Sequence, residues 1–261
     1  MPHRQAAVST TLPHVAGVWH GPLSARLEAD ELLDRPERHA ADLDANLRDI
    51  RRVNLLAGGT RTTMLHLRRI VEMVPSDRPV TILDLATGSA DIPVAVARWA
   101  SRRGRPVSII ASDLSEEILA LARHRVSPYR DIALVRYDAR DVPLPDRSID
   151  LVLCALALHH FAPPEATAVL REMDRLARYG FILNDIRRGR LGLAAAWISS
   201  RLATRNRLTL HDMPLSVRRA YTPSELRSLV ADAGIDGATV TTHPLFRMAA
   251  VRGPAGNGSP A

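Results

Sequence analysis

The sequence predicts an α/β fold built on a mostly parallel sheet. From Thr81 onward, short β-branched and apolar runs alternate with segments of helical periodicity, which is typical of parallel strands joined by right-handed crossovers. The chain has 261 residues, of which 46% are hydrophobic, enough for one α/β core with an extension. Strands are expected near residues 80–86, 107–112, 132–137, 149–155, 179–185, 238–242 and 246–251.

The most informative segment is the run VTILDLATGSADIP over residues 80–93. An apolar strand ends in Asp84, turns through small residues that include Gly88, and enters a helix. Open α/β sheets bind cofactors at the edge where such strands end. An acid here suits a cationic or hydroxyl-rich ligand, whereas a dinucleotide pyrophosphate requires a Gly-x-Gly-x-x-Gly loop. A P-loop is excluded because the chain contains no lysine.

Three further motifs follow this loop in order. Asp113 ends the second strand, Asp138 and Ala139 follow the third, and the pair His159-His160 follows the fourth. Each acid alone is explained equally well as a helix cap or a turn residue. Helix capping does not explain the whole series in this order, so the motifs together indicate a ligand site at the carboxyl edge of the sheet.

Together these motifs resemble those of class I S-adenosylmethionine-dependent methyltransferases, in the branch of quinone and other small-molecule enzymes. The resemblance covers roughly residues 81–185. It implies a Rossmann-like, seven-stranded, mostly parallel sheet with an antiparallel C-terminal hairpin, helices on both faces and an N-terminal helical extension. Ala86 and Ala90 stand where the family more often has glycine. The positions matching the family's S-adenosylmethionine site are Asp84, Ala86, Thr87, Gly88, Asp113, Leu114, Asp138, Ala139 and Ala155.

The resemblance also assigns roles to these positions. In the family, the acid at Asp113 accepts hydrogen bonds from the ribose hydroxyls, and the loop at Asp138 and Ala139 holds the adenine. Methyl transfer is an in-line displacement that depends on positioning, and a hydroxyl acceptor also benefits from a base. His159, His160 and His211 are the candidate bases, although a purely structural role for the pair remains the alternative. We expect no metal, because Asn184 and Asp185 alone do not form a cation cage.

The expected acceptor is a small, largely apolar molecule. The Asp/Asn-Pro-Pro-aromatic motif of enzymes that methylate exocyclic amines of bases is absent after the fourth strand, where the sequence reads Ala155-Leu-Ala-Leu-His-His. We therefore expect O-methylation of a phenol, quinol or polyketide-like aromatic, in secondary metabolism or quinone biosynthesis. The alternatives are C-methylation of a quinone precursor, an RNA acceptor, and a cofactor-binding module without turnover.

The composition bears on whether the protein binds nucleic acid and on the cellular compartment in which it is expected. The net charge is +7, and all 35 lysine-plus-arginine residues are arginine. These arginines are dispersed along the chain, and only 4% of residues are aromatic. This disfavours nucleic acid as a partner. The single cysteine, Cys154, is expected to be a buried thiol. We find no secretory signal or apolar run of membrane-spanning length and expect a cytoplasmic protein of undetermined oligomeric state.

The chain divides into a flexible arm (1–24), an N-terminal helical cap (25–76), a methyltransferase domain (77–252) with a lid insertion near 190–220, and a disordered tail (253–261). Within the insertion, an alanine-rich helix carries an apolar stripe with Trp197 beside it. Three interpretations stay open: a roof over the substrate, core packing, or a membrane-surface helix that makes weak peripheral contact. The stripe consists of Leu191, Ala195, Ile198 and Leu202, and the flanking arginines are Arg190, Arg201, Arg205 and Arg207.

Overall fold

A computed structural model describes residues 23–34 and 40–253. The expected arm and tail therefore lie almost entirely outside the described residues. The described chain forms a seven-stranded sheet in the order β3-β2-β1-β4-β5-β7-β6, in which β7 runs antiparallel to both of its neighbours. The strands are β1 (Val80–Leu85), β2 (Val107–Asp113), β3 (Ile132–Arg136), β4 (Ile149–Ala155), β5 (Ala177–Ile186), β6 (Ala238–His243) and β7 (Arg247–Arg252).

The four pairings among β1 to β5 are parallel, so their carboxyl ends meet at one edge of the sheet. Strands β1 and β4 are buried almost throughout, as expected for central strands covered by helices on both faces. The predicted fold, including the antiparallel C-terminal hairpin, is confirmed. Cys154 is a buried thiol within β4, as expected.

Eight α-helices surround the sheet in the described ranges, and two short 3₁₀ turns, Leu32–Asp34 and Leu158–His160, lie near its carboxyl edge. The helices are α1 (Ala40–Leu56), α2 (Gly59–Val71), α3 (Asp91–Arg102), α4 (Glu116–Val126), α5 (Pro163–Leu176), α6 (Arg190–Ala203), α7 (Arg207–Arg219) and α8 (Pro223–Asp232). None of these helices has the length and apolarity that crossing a bilayer requires.

Helices α1 and α2 precede the sheet and are joined at Gly58, whose φ of 76° lies in the left-handed region that glycine tolerates. The apolar residues Leu67, Ile70 and Val71 of α2 are buried, in a cluster that also contains residues of β1 and β4. The junction between the two helices thereby comes to lie beside the carboxyl edge of the sheet, where Asn184 Nδ2 donates to Gly59 O at 2.8 Å.

The apolar stripe of α6 faces outward, so its interpretation as core packing is wrong. Leu191 is 76% exposed, Ile198 50% and Leu202 82%, while the buried residues of the helix are Gly192, Leu193 and Ser200. Sequence periodicity had located the stripe correctly, but it does not say which face of a helix is covered.

Candidate active site

A cavity of about 530 Å³ lies at the carboxyl edge of β1, β2, β3 and β4. Eight of the nine positions expected to bind the cofactor line it: Ala86, Thr87, Gly88, Asp113, Leu114, Asp138, Ala139 and Ala155. The ninth, Asp84, ends β1 and is buried next to this loop, where it accepts a hydrogen bond from Thr87 Oγ1 at 2.6 Å. The sheet thus brings residues from the ends of four strands to one cavity.

Three residues of the loop after β1 have a left-handed backbone conformation. Ala86, Gly88 and Ala90 have φ values of 51°, 54° and 56°, a region that costs an L-residue about 1–2 kcal/mol. This explains why glycine is more common at such positions, and why the two alanines carry a conformational cost here. At Gly88, a Cβ atom would meet no heavy atom within 4 Å, so the backbone faces open space for a ligand.

Two buried carboxylates determine the electrostatics of this larger cavity. Burial raises the pKa of Asp84 to about 8, although the hydrogen bond from Thr87 acts in the opposite direction. The Oδ1 atom of Asp84 has no hydrogen-bond partner among the described residues. Burial also raises the pKa of Asp113, which accepts backbone N–H groups from Gly88 and Ser115, each at 3.0 Å. Both groups would be stabilised as carboxylates by hydrogen-bond donors or positive charge on a ligand.

Asp138 is already engaged by the protein. Its carboxylate accepts hydrogen bonds from the backbone and side chain of Arg140, which in turn pairs with Glu165. The hydrogen bonds from Arg140 lower the pKa of Asp138. A ligand at this position would therefore meet a fixed, ionised carboxylate rather than a free one.

A second cavity, of about 300 Å³, adjoins the first. The two share Leu33, Ile50, Leu156 and His160 in their walls, so they meet at one junction. The walls of the smaller cavity come from α1, α6, α7 and the 245–247 turn. Among its apolar and small lining residues are Val53, Ala57, Gly192, Ala195, Ala196, Met213, Val217, Leu245 and Phe246.

His159 lies in the wall of the smaller cavity with its ring held in place. Its Nδ1 atom is 2.8 Å from Asp185 Oδ1, and its backbone N–H donates to Asp185 Oδ2 at 2.9 Å. A neutral ring that donates from Nδ1 to the carboxylate keeps the lone pair of Nε2 as an acceptor. Burial alone would raise the pKa of Asp185, but the imidazole of His159 outweighs it and lowers that pKa. Together these contacts fix the orientation of the ring, and Nε2 lies 3.8 Å from Glu31 Oε1.

His160 is in a different electrostatic state. Its Nδ1 atom lies 3.1 Å from Asp34 Oδ2, and its Nε2 atom lies 3.9 Å from Glu31 Oε2. Burial alone would lower the pKa of His160, but the carboxylates of Glu31 and Asp34 outweigh it and raise the pKa to about 9. The ring is therefore cationic near neutral pH and cannot accept a proton there.

His211 lines neither cavity. It lies in helix α7, and its Nδ1 atom is 2.8 Å from Oδ1 of the adjacent Asp212. Asp212 also accepts the backbone N–H groups of Leu32 and Leu33 at 2.8 and 3.0 Å. The His-Asp pair thus belongs to the anchoring of the N-terminal segment.

Glu31 and Asp34 are site residues that the sequence did not reveal, because their segment has no periodicity. Glu31 is buried, and one ligand atom each of Glu31, His159 and His160 lies within 4.8 Å of the other two, a spacing that could hold a metal ion. The Glu31 carboxylate, however, already accepts a hydrogen bond from Ser216 and faces the guanidinium of Arg219 at 4.0 Å. The negative charge of this cluster is thus offset by the protein's own cations.

Arg247 is a buried cation in the wall of the smaller cavity. Its Nε atom donates to Ala57 O at 3.1 Å, but Nη1 and Nη2 have no partner among the described residues. Burial lowers its pKa to about 10, so the group is cationic at neutral pH. Its orphaned donors could bind an oxygen atom of a bound molecule.

The comparisons with known proteins agree with this geometry. The family model of a methyltransferase domain matches residues 82–180. A demethylmenaquinone methyltransferase of Thermotoga maritima is 32% identical over 111 residues, which are 42% of this chain and 44% of that protein. The ubiquinone/menaquinone biosynthesis C-methyltransferase UbiE of Rickettsia prowazekii is 31% identical over 100 residues, 37% of this chain and 40% of that protein.

A malonyl-[acyl-carrier protein] O-methyltransferase of a Marinomonas species is 34% identical over 114 residues, 44% of this chain and 40% of that protein. The chain thus spans less than half the length of each of these relatives.

Solved structures show the same fold at low sequence identity. A SAM dependent methyltransferase from Aquifex aeolicus superposes with a TM-score of 0.56 at 16% identity, covering 80% of this chain and 96% of that one. The CMeT domain of the citrinin polyketide synthase gives a TM-score of 0.55 at 16% identity, covering 72% of this chain and 50% of that one.

Proposed function

We infer a reaction for this protein from the methyltransferase domain of the class I S-adenosylmethionine-dependent family that residues 82–180 form. We propose that it transfers the methyl group of S-adenosylmethionine to a small, largely apolar acceptor that bears an ionisable hydroxyl group. One observation carries the proposal: the two cavities meet beside His159, whose ring is oriented by Asp185.

The residues of the larger cavity fit the donor. Asp113, with one face towards the cavity, would accept hydrogen bonds from the ribose hydroxyls. The unpaired Oδ1 atom of Asp84 is available to a cationic or donor group, and Gly88 leaves room at the backbone. When bound, S-adenosylmethionine supplies an electrophilic methyl group on a sulfonium. The protein's own task is to exclude water and to hold the acceptor in line with that group.

The smaller cavity fits the acceptor. Its volume of about 300 Å³ and its apolar lining suit one small aromatic molecule rather than a polymer. In this pose, Nε2 of His159 takes the proton of the acceptor hydroxyl, and the carboxylate of Asp185 stabilises the resulting imidazolium. Arg247 offers its free N–H groups to a second oxygen of the acceptor or to a neighbouring anion.

We propose oxygen as the methylated atom, because the hydroxyl is the group that the base would activate. Carbon is the second candidate. A deprotonated phenol or quinol is nucleophilic at its ring carbon as well as at oxygen, and two of the relatives above carry names that specify demethylmenaquinone methylation or quinone C-methylation. Mass spectrometry of the product before and after treatment with hydriodic acid, which cleaves aryl methyl ethers but not C-methyl groups, separates the two outcomes.

Binding of the cofactor in the larger cavity is tested by calorimetry with S-adenosylhomocysteine. Asp113→Ala removes the acceptor of the two ribose hydrogen bonds, each worth about 1.5–3 kcal/mol when the partner is charged, so binding should weaken at least tenfold. A folded wild-type protein that does not bind S-adenosylhomocysteine would contradict the proposed function.

The base is tested by radiolabelled methyl transfer to a panel of phenols and quinols. His159→Gln should lower turnover by about 10²–10⁴-fold and leave S-adenosylhomocysteine affinity nearly intact, because the side chain lines only the acceptor cavity. His211→Gln is the matched control, since that ring lines neither cavity, and should retain turnover. Equal turnover in both variants would remove His159 from the reaction.

A further inference from the structure

The outward stripe of α6 lies beside the rim of the acceptor cavity. The cavity is lined on this helix by Gly192, Ala195, Ala196 and Ser199, and Ala195 belongs to the stripe itself. The exposed residues Leu191, Ile198 and Leu202 continue that line one turn at a time, because positions three and four apart share a helix face. An apolar surface therefore runs from the cavity wall onto the outside of the molecule.

Other exposed apolar side chains border the same rim. Leu245 lines the cavity and is 54% exposed, so the cavity reaches the surface at this residue. Leu55 and Leu56 are exposed and immediately precede Ala57, another lining residue. Single exposed leucines are ordinary, but exposed apolar residues gathered around one opening mark an interaction surface.

The charged residues of the segment that carries the stripe have one sign. Between residues 187 and 211 the chain has no acidic residue, while Arg190, Arg201, Arg205 and Arg207 are exposed. Asp49, from the helix α1 packed against this region, is buried and accepts hydrogen bonds from Thr204 and Thr209. The arginines therefore provide positive charge that this segment does not neutralise.

We propose that α6 and the adjoining turn at residue 245 dock on an anionic lipid surface, with the stripe in the interface and the arginines on the headgroups. The combination of an apolar stripe and flanking cations on an exposed helix is that of an interfacial amphipathic helix. The inference deepens the proposed function: the acceptor is a lipophilic hydroxylated ring that enters the cavity from the bilayer without crossing water.

The test is co-sedimentation of the full chain with vesicles of phosphatidylcholine alone and with phosphatidylglycerol added. Wild type should bind the anionic vesicles, and 0.5 M salt should weaken this binding by screening the arginines. Leu191→Gln combined with Leu202→Gln should lower the partition coefficient at least tenfold, because two apolar side chains lose their burial. Leu65→Gln, at an exposed leucine of α2, is the control and should have no effect.

The contribution of the arginines is tested with two double variants, one in the proposed surface and one outside it. Arg201→Gln with Arg205→Gln should weaken binding by about fivefold per charge, whereas Arg102→Gln with Arg103→Gln at the end of α3 should not. All variants should bind S-adenosylhomocysteine like wild type, so loss of vesicle binding with retained nucleoside binding reports on the surface and not on the proposed reaction. Absence of vesicle binding, or a dimer in solution that the leucine variants dissociate, would overturn the proposal.

Discussion

Two adjacent histidines illustrate how far the environment, rather than the residue type, decides chemistry. His159 contacts Asp185 through Nδ1, and its Nε2 atom lies 3.8 Å from Glu31 Oε1 in the wall of the smaller cavity. His160 lies between the carboxylates of Glu31 and Asp34, with its ring centroid 4.4 Å from that of His159. In the proposed function the first acts as the base, whereas the second supplies a positive charge at the junction of the two cavities.

The charge of His160 should appear in the pH dependence of stability. Its pKa is about 9 in the folded state against an ordinary value of 6.5, so the folded state holds the proton more tightly. The stabilisation is fully present below about pH 6.5 and is lost as the pH rises through 9. It amounts to on the order of 3 kcal/mol of the free energy of unfolding.

Urea unfolding of wild type and His160→Gln at pH 6 and pH 9.5 measures this contribution. Wild type should lose more free energy of unfolding between the two pH values than the variant does. His124→Gln, at an exposed position of α4, should follow wild type. Parallel behaviour of wild type and His160→Gln would show that the cluster does not hold the extra proton.

At the scale of single elements, strand β4 is secured at the end opposite the cavities. Asp150 is fully buried and accepts hydrogen bonds from Arg78, Thr81 and Arg178, which tie the start of β4 to β1 and β5. Burial alone would raise the pKa of Asp150, but the hydrogen bonds from Arg78 and Thr81 outweigh it and lower the pKa to about 2. The acid near the start of the fourth strand is therefore structural.

Asp150→Ala should lower the free energy of unfolding by about 3–5 kcal/mol, because it leaves buried donors and a cation without their partner. Chemical denaturation measures this loss, with Asp236→Ala at an exposed position as the control. Affinity for S-adenosylhomocysteine, measured on the folded fraction, should not change, since Asp150 lies away from the cavities. A loss of less than 1 kcal/mol would show that the cluster is not a stabilising contact.

The strands could be predicted from sequence because each is a short β-branched or apolar run bounded by turn residues. Helix α7 is not among the elements predicted from the sequence, although Asn206 caps it by accepting a hydrogen bond from Thr209 N. The sequence does not show which way the α6 stripe faces, nor that the carboxylates of Glu31 and Asp34 lie at the site. Both features depend on which surfaces tertiary packing covers, and periodicity does not encode that.

At the scale of the whole molecule, the N-terminal segment of residues 23–34 closes the junction of the two cavities. Arg26 donates to the carbonyl groups of His159, Phe161 and Arg219 at 2.6–2.9 Å, and Leu27 N donates to Arg218 O. The segment is thus held over the histidine pair by hydrogen bonds from the Arg26 guanidinium and the Leu27 amide to backbone carbonyl groups. The active site is completed by a part of the chain more than a hundred residues away in sequence.

Asp212 should control how tightly this segment is held. Asp212→Ala removes the acceptor of the amide groups of Leu32 and Leu33, two hydrogen bonds to a charged group worth about 1.5–3 kcal/mol each. Amide hydrogen exchange over residues 23–34 should accelerate at least tenfold, because opening of the segment becomes less costly.

His211→Gln serves as the matched control, since it removes the neighbouring ring and keeps both bonds from Asp212 to the segment. In wild type, S-adenosylhomocysteine should slow exchange over the same residues, because Leu33 and Asp34 line the donor cavity. The Asp212 variant should show a weaker slowing, since the ligand must first order the segment. Exchange rates that are equal in wild type and Asp212→Ala would mean that Arg26, and not Asp212, holds the segment closed over the two cavities.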